Sequence, residues 1–409
     1  MVSIIEGGLT SVPGFRATGV EAGIKHGGLD LLLLSSDKGP IPAAALFTSN
    51  LVKGSPLQIT KEHLQNGKLG AVVANSGCAN AYTGQQGIQD ARETAELVAE
   101  LLDINPGDVG VASTGLIGTR LPMNQIREGI KKAVKQLSNS WEDGTKAAKA
   151  IMTTDTCPKE IAIELELEDG TRTTIGGATK GAGMIHPDLH ATMLAFIVTD
   201  ASMTPAGLRS ALQRSADNSF NMVSIDRDTS TNDMALAMAN GLAKNDRITK
   251  KHPSKKFQKG LDFVTTELAR MIARDGEGAT HLLEVHVEGA ESRKDARIAA
   301  RAVVGSNLVK AAVFGEDPNW GRIVAALGYS GASFDPSKLS ISFKSEEGES
   351  LILFRGKTTS EENLIRAEEV MGEEKIEIHI DLGAGQESST AWGCDLSKEY
   401  VEINSKYIT

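Results

Sequence analysis

Short apolar runs separated by glycine dominate the first sixty residues. Leu29-Asp30-Leu31-Leu32-Leu33-Leu34 and Ala43-Ala44-Ala45-Leu46-Phe47 have the length of strands buried on both faces, with glycines supplying the turns. Ala71 to Ala74 predicts another short strand, which runs into the loop formers Asn75-Ser76-Gly77-Cys78-Ala79-Asn80-Ala81. A helix is predicted from about Gln89 to Leu102, and a strand from Val109 into the turn Ser113-Thr114-Gly115. Ile126, Ile130, Val134 and Leu137 recur at helical spacing and predict an amphipathic helix over 123–137. Between 159 and 176 the period changes to two, with Ile161, Ile163, Leu165 and Leu167 alternating and Asp169-Gly170 as a hairpin turn.

The second half opens with predicted helices at 205–216 and 260–274, the latter carrying Leu261, Val264, Leu268 and Met271 on one face. Asp275-Gly276-Glu277-Gly278 stops that helix. Leu282 to Val287 reads as strand and 293–304 as helix. The remainder reads mainly as strand: Leu339 to Phe343, Leu351 to Phe354, the alternation Ile376, Ile378, Ile380, Leu382, and the closing stretch Tyr400 to Asn404. Helices and strands mix without strict alternation, so the fold class is mixed α/β and not a doubly wound nucleotide fold.

Composition narrows the classes. A chain of 409 residues, 40% hydrophobic and 23% charged, suits two or three domains or one large unit, with no need of disulfides. A net charge of −10 disfavours nucleic acid, and the basic cluster from Lys250 to Lys256 reads as a solvated loop. Cys78, Cys157 and Cys394 are too scattered for a disulfide framework or a thiolate zinc site and fit a reducing compartment. The N-terminus lacks the pattern of a signal peptide, and no apolar run is long enough for a bilayer. A cytoplasmic protein with no membrane partner is expected.

The chemistry points to the middle of the chain. A glycine-rich run, Gly176 to Gly183, feeds a polar turn around Pro187, which ends at Ala191-Thr192. The apolar run Met193 to Val198 follows. The run fits neither a Walker loop nor a dinucleotide fingerprint, so its glycines more naturally serve close backbone approach or positive φ. His186 and His190 are four apart, but Pro187 argues against a helix and no third ligand is near, so no metal is expected. No Gly-x-Ser-x-Gly elbow and no cysteine nucleophile signature occur. Thr192 is different. Its hydroxyl needs a base, and cutting the Ala191–Thr192 bond would supply one: an α-amine with a reference pKa of about 7.7 to 8.0. Acyl steps also need oxyanion donors, which the Ser113-Thr114-Gly115 turn could present as an N–H and a hydroxyl.

At these residues the chain resembles the ornithine acetyltransferase (glutamate N-acetyltransferase) family of arginine biosynthesis, and the likeness runs essentially end to end. It includes Gly14-Phe15-Arg16-Ala17-Thr18-Gly19-Val20, Phe47-Thr48-Ser49-Asn50, the cluster from Asn75 to Ala81, Ser113-Thr114-Gly115-Leu116-Ile117-Gly118 and Met152-Thr153-Thr154-Asp155-Thr156. It continues through the central stretch, Asp228-Thr229-Ser230-Thr231-Asn232-Asp233, Asp275 to Thr280, Asp317-Pro318-Asn319-Trp320-Gly321-Arg322 and the terminus Asn404 to Thr409. The resemblance implies two sandwiched α/β lobes and self-cleavage at Ala191–Thr192. The products would be an α chain, 1–191, carrying the oxyanion hole, and a β chain, 192–409, carrying the threonine nucleophile and substrate-binding parts. These would assemble as α2β2.

It further implies ping-pong acetyl transfer from N-acetylornithine to glutamate through acetyl-Thr192. No cofactor is implied; acetyl-coenzyme A is a second donor in some members. Thr114 and Gly115 match the oxyanion hole. Lys180, Thr192, Glu277, Asn404 and Thr409 match substrate-contacting positions, as does Thr153 or Thr154. Lys180 suits an α-carboxylate and Glu277 the ornithine ammonium. Two departures stand out. The family usually reads Pro-Asn-Met-Ala-Thr-Met, and Pro187-Asp188-Leu189-His190-Ala191-Thr192-Met193 is one residue longer. Arg227 stands where glycine is usual. The alternatives are an amidohydrolase or aminopeptidase with the same cut-and-acylate logic, and a non-catalytic binding protein.

Overall fold

A computed structural model describes residues 2–186 and 193–406. Ala191, Thr192, the Pro187 turn and Thr409 therefore lie outside the described residues. Among those described, the strands form three sheets. The central one has the order Val2–Ile5, Lys159–Glu166, Arg172–Lys180, Leu194–Thr199, Met234–Ala239, Ile41–Phe47, Lys68–Leu69. Its middle strand, Leu194–Thr199, is buried throughout. It pairs antiparallel with Arg172–Lys180 (Leu194 opposite Lys180) and parallel with Met234–Ala239 (Leu194 opposite Met234).

A period of two sends each face of this strand into a separate core. Ala195 and Ile197 join the cluster around the helix Lys255–Arg274 and the second sheet, while Leu194, Phe196 and Val198 meet Leu32, Leu34 and Val72 of the third. The glycines at 176–177 serve close approach as expected: a Cβ on Gly176 would lie 2.2 Å from the Gly8 carbonyl oxygen.

The two lobes flank this sheet. Phe15–Val20, Leu31–Ser36, Ala71–Asn75 and Val109–Ser113 make the N-terminal sheet, whose outer face packs on the helices Gly84–Leu102 and Met123–Gln136. Val223–Ser224, Glu387–Cys394, Leu282–Ala290, Lys375–Asp381, Ser340–Ser345, Gly348–Phe354 and Lys357–Thr358 make the C-terminal sheet. The mixed α/β fold class holds. No helix is long and apolar enough to cross a membrane among the described residues.

Most predicted elements are present. The hairpin runs as Lys159–Glu166 and Arg172–Lys180. The helix expected at 260–274 begins earlier, at Lys255, because the Ser254 side chain caps it by accepting the Phe257 N–H. The region after residue 304 needs correction, being far more helical than expected. It contains Asn307–Phe314, Trp320–Tyr329, Glu361–Met371 and, where strand was expected at the close, Lys398–Lys406. Local capping decides three of these: Ser306, Asn319 and Ser360 each accept an N–H from the first turn. The helices Ser55–His63 and Trp141–Ala150 were also missed.

Candidate active site

The central strands and the N-terminal sheet end at one cavity. Every described residue named from the sequence lines it: Thr114, Gly115, Thr153, Thr154, Lys180, Glu277 and Asn404. Met193, the residue directly after Thr192, lines it too.

Thr114 and Gly115 follow the strand Val109–Ser113 in a turn with little freedom. The Thr114 N–H donates to the Asn75 carbonyl at 2.9 Å, and the Leu116 N–H donates to that of Gly77 at 3.3 Å. Between them the Gly115 N–H donates to no described residue, which leaves it for a ligand. Gly115 has φ 127°, and a Cβ there would lie 2.3 Å from the Gly77 carbonyl carbon, so glycine is required. The loop formers at 75–81 brace this turn. The Asn75 amide donates to the Cys78 carbonyl at 2.9 Å and its oxygen accepts from the Ser113 hydroxyl at 2.6 Å. The Asn232 amide donates to the Ala79 and Ser113 carbonyls at 2.6 and 2.9 Å.

Lys180 ends its strand at 7% exposure. Behind it lies a buried network. Asp155 accepts from the Gly181 N–H and the Lys159 ammonium, both at 2.7 Å, and from the Thr153 N–H at 3.0 Å. Lys159 also bonds Asp275 at 2.5 Å. Burial pushes the Asp155 carboxyl up, but Lys180, Lys159 and the Gly181 N–H outweigh it and hold the group at about 2. The network fixes Thr153 and Lys180 relative to the turn that carries Glu277.

Glu277 faces Lys180's cavity from the stop after the helix Lys255–Arg274. Its N–H donates to the Ala182 carbonyl at 2.8 Å, and its carboxylate accepts from the Asn404 amide at 2.7 Å. The carboxylate lies flat against Gly183, where a Cβ would come within 2.4 Å of it. One cavity thus offers a cation, an anion and a backbone donor with no partner among the described residues.

Sequence reasoning quoted the polar run ending at Asp233 without giving it a role. The run brackets the central segment. Asp226 accepts the Met184 and Ile185 N–H groups at 2.6 and 2.9 Å, and Asp233 accepts the Met193 N–H at 2.8 Å. Burial pushes the Asp233 carboxyl up to about 8, against the Met193 N–H, Ser230 and Lys180. Arg227 has φ 69°, the left-handed region where glycine is at ease, which explains the residue usual there.

Both ring nitrogens of His186 are engaged, and His190 lies outside the described residues. One ring nitrogen meets the Ser224 hydroxyl at 2.9 Å and the other accepts from Arg301 at 2.8 Å. Burial, then Arg301 and Arg227, lower its pKa to about 4. Away from the cavity, His286, Glu377 and His379 bring ligand atoms within 4.8 Å of one another. Lys375 already pairs with Glu377 at 2.7 Å and the two imidazoles stack at 4.6 Å, which reads as an ion-pair network.

Comparison with known proteins gives the family. The ArgJ family model matches residues 16–409. The arginine biosynthesis bifunctional protein ArgJ of Symbiobacterium thermophilum is 51% identical over 409 residues, 99% of each chain. A glutamate N-acetyltransferase of Methanothermobacter thermautotrophicus is 46% identical over 408 residues, 99% of this chain and 98% of its own. Among solved structures, ornithine acetyltransferase complexed with ornithine from Mycobacterium tuberculosis is 42% identical with a TM-score of 0.44, over 46% of this chain and 99% of that one. The chain belongs to the ArgJ family and is an acyltransferase of arginine biosynthesis, of the glutamate N-acetyltransferase class.

Proposed function

We propose that the chain cuts itself between Ala191 and Thr192, and that Thr192 then carries an acetyl group from N2-acetyl-L-ornithine to L-glutamate. The observation that supports this most is convergence: Thr114, Gly115, Lys180, Glu277 and Asn404 line one cavity together with Met193. In this reading residues 1–191 form the α chain with the oxyanion hole and 192–409 the β chain with the nucleophile. Lys180 receives the α-carboxylate common to both substrates, while Glu277, with Asn404, receives the ornithine ammonium. Thr153 and Thr154 complete the polar lining, and Thr409 is a further substrate contact in this reading.

The Thr192 Oγ attacks the acetyl carbonyl carbon while its proton passes to the α-amine. The oxyanion is held by the Gly115 N–H and the Thr114 hydroxyl. Collapse breaks the bond to the ornithine nitrogen, which takes the proton, and leaves acetyl-Thr192. Glutamate's amine then attacks this ester, and Oγ regains a proton. No cofactor is needed; acetyl-coenzyme A is a second donor in this proposal, the assembly is α2β2 and the compartment the cytoplasm.

Intact-mass measurement of the purified chain should give fragments 1–191 and 192–409, and the latter should gain one acetyl group with acetylornithine alone. Thr192→Ala should stay whole and inactive. An uncut, active Thr192→Ala chain would remove the mechanism. Rapid deacetylation with no glutamate-dependent turnover would favour an amidohydrolase instead.

A further inference from the structure

The mechanism above leaves one buried titratable group at the cavity without a role. Asp233 lines the cavity and is 3% exposed. It stands where the chain enters the strand Met234–Ala239, whose parallel neighbour begins at Leu194 opposite Met234. Asp233 and Met193 therefore precede two paired strands at the same end of the sheet. Two bonds lock Met193 there: its carbonyl accepts the Met234 N–H at 2.7 Å, and its own N–H donates to Asp233 Oδ1 at 2.8 Å. The second carboxyl oxygen, Oδ2, is fully buried and meets no described donor at hydrogen-bond geometry, although the Ser230 hydroxyl and N–H act on the carboxyl. A buried acceptor left this way is costly unless something fills it.

Resting on the proposed cut at Ala191–Thr192, we infer that Asp233 is a positioning residue for the nucleophile. One carboxyl oxygen fixes the peptide nitrogen that follows Thr192; the other receives the α-ammonium of Thr192. Residue 192 precedes Met193 in the chain, so a cut before it frees an amine one residue from the N–H that Asp233 holds. Before the cut that nitrogen is an uncharged amide, and burial keeps the carboxyl protonated at neutral pH. The cut creates an amine. When Oγ bonds to the acyl carbon its proton moves to this amine, the carbonyl electron pair moves onto the oxyanion, and an ammonium forms. As this cation forms, Asp233 releases its own proton to water, and the resulting carboxylate pairs with the ammonium and stabilises it, as a buried aspartate stabilises an imidazolium in a Ser-His-Asp site. The charged groups facing Asp233 are Lys180, which also favours the carboxylate, and Glu277 on another wall of the cavity. Asn232, its neighbour, bonds the carbonyls of Ala79 and Ser113, so adjacent side chains tie the oxyanion turn and the nucleophile's strand together.

The test is Asp233→Asn in the full-length chain, compared with wild type by intact mass and by the pH profile of kcat/KM. The amide oxygen still accepts the Met193 N–H, but the charge is gone. The acid limb, set by the amine, should move down by about one pH unit or more, and kcat should fall about tenfold or more, one pKa unit being a factor of ten. A merely structural role would lower kcat and leave the limb in place; an unmoved limb overturns the inference. Should the variant fail to fold, the α-amine is titrated in processed wild type by the pH dependence of its acylation. A pKa above about 8 is expected, and one at or below the reference range of about 7.7 to 8.0 overturns the inference. A wild-type chain that is never cut would sink the proposed mechanism itself. A cut wild type matched in its acid limb by Asp233→Asn would sink only the role of Asp233.

Discussion

His186 shows how single residues record the fold's electrostatics. Held neutral by burial and by Arg301 and Arg227, it titrates near 4 rather than near its ordinary 6.5. Between these values the unfolded chain takes up a proton that the folded chain refuses. Stability from this group is therefore complete above about pH 6.5 and falls as pH drops toward 4. The loss is about 3 kcal/mol for a shift of this size. Asp233, with its pKa raised to about 8, works in the opposite sense, because the folded chain keeps a proton that the unfolded chain has lost. Urea unfolding at pH 4.5, 5.5 and 6.5 separates them: the stability of wild type relative to His186→Gln should fall toward acid, the contribution of Asp233 being common to both. A variant whose stability follows pH as wild type does would refute the assignment. The residues that motifs carry, such as Thr114, Lys180 and Glu277, were legible in the sequence. Asp233 was not, because its character comes from complete burial and from a bond to a residue forty positions earlier.

At the scale of elements, one lysine joins three of them. Lys159 opens a hairpin strand, Asp155 closes the loop that carries Thr153 and Thr154, and Asp275 follows the helix Lys255–Arg274. Lys159 is 1% exposed and touches both carboxylates. Replacing it with Met leaves two buried negative charges facing each other, and such a broken pair costs about 3 to 5 kcal/mol. Lys159→Met should lose that much in chemical denaturation and lose acetyl transfer with it, since Lys180 and Glu277 are set by the same network. Native-like stability in this variant would mean that the network is dispensable. The hairpin and the long helix were legible because their periods, two and 3.6, persist over many residues. The C-terminal helices were not. Their apolar stripes are brief, as with Ala367, Val370 and Met371, and what decides them is a serine or asparagine cap.

At the scale of the whole molecule, the proposed cut meets the central sheet in an unusual place. Five of its strands precede residue 191: Val2–Ile5, Ile41–Phe47, Lys68–Leu69, Lys159–Glu166 and Arg172–Lys180. The two that follow it, Leu194–Thr199 and Met234–Ala239, sit in the middle. Leu194–Thr199 is paired along its length with Arg172–Lys180, and Met234–Ala239 is paired with Ile41–Phe47. Pairing across such sequence separations is set by tertiary contacts, which local patterns do not encode. Its consequence is mechanical. Pulling the fragments apart would unzip two inner ladders and expose both faces of strands that are buried in full, a loss no surface interface imposes. Cleaved protein should therefore run as one species in gel filtration. Urea should release 1–191 and 192–409 only within the unfolding transition, and neither fragment should stay folded alone. Two folded fragments eluting separately under native conditions would contradict this sheet order, whatever the enzyme's activity.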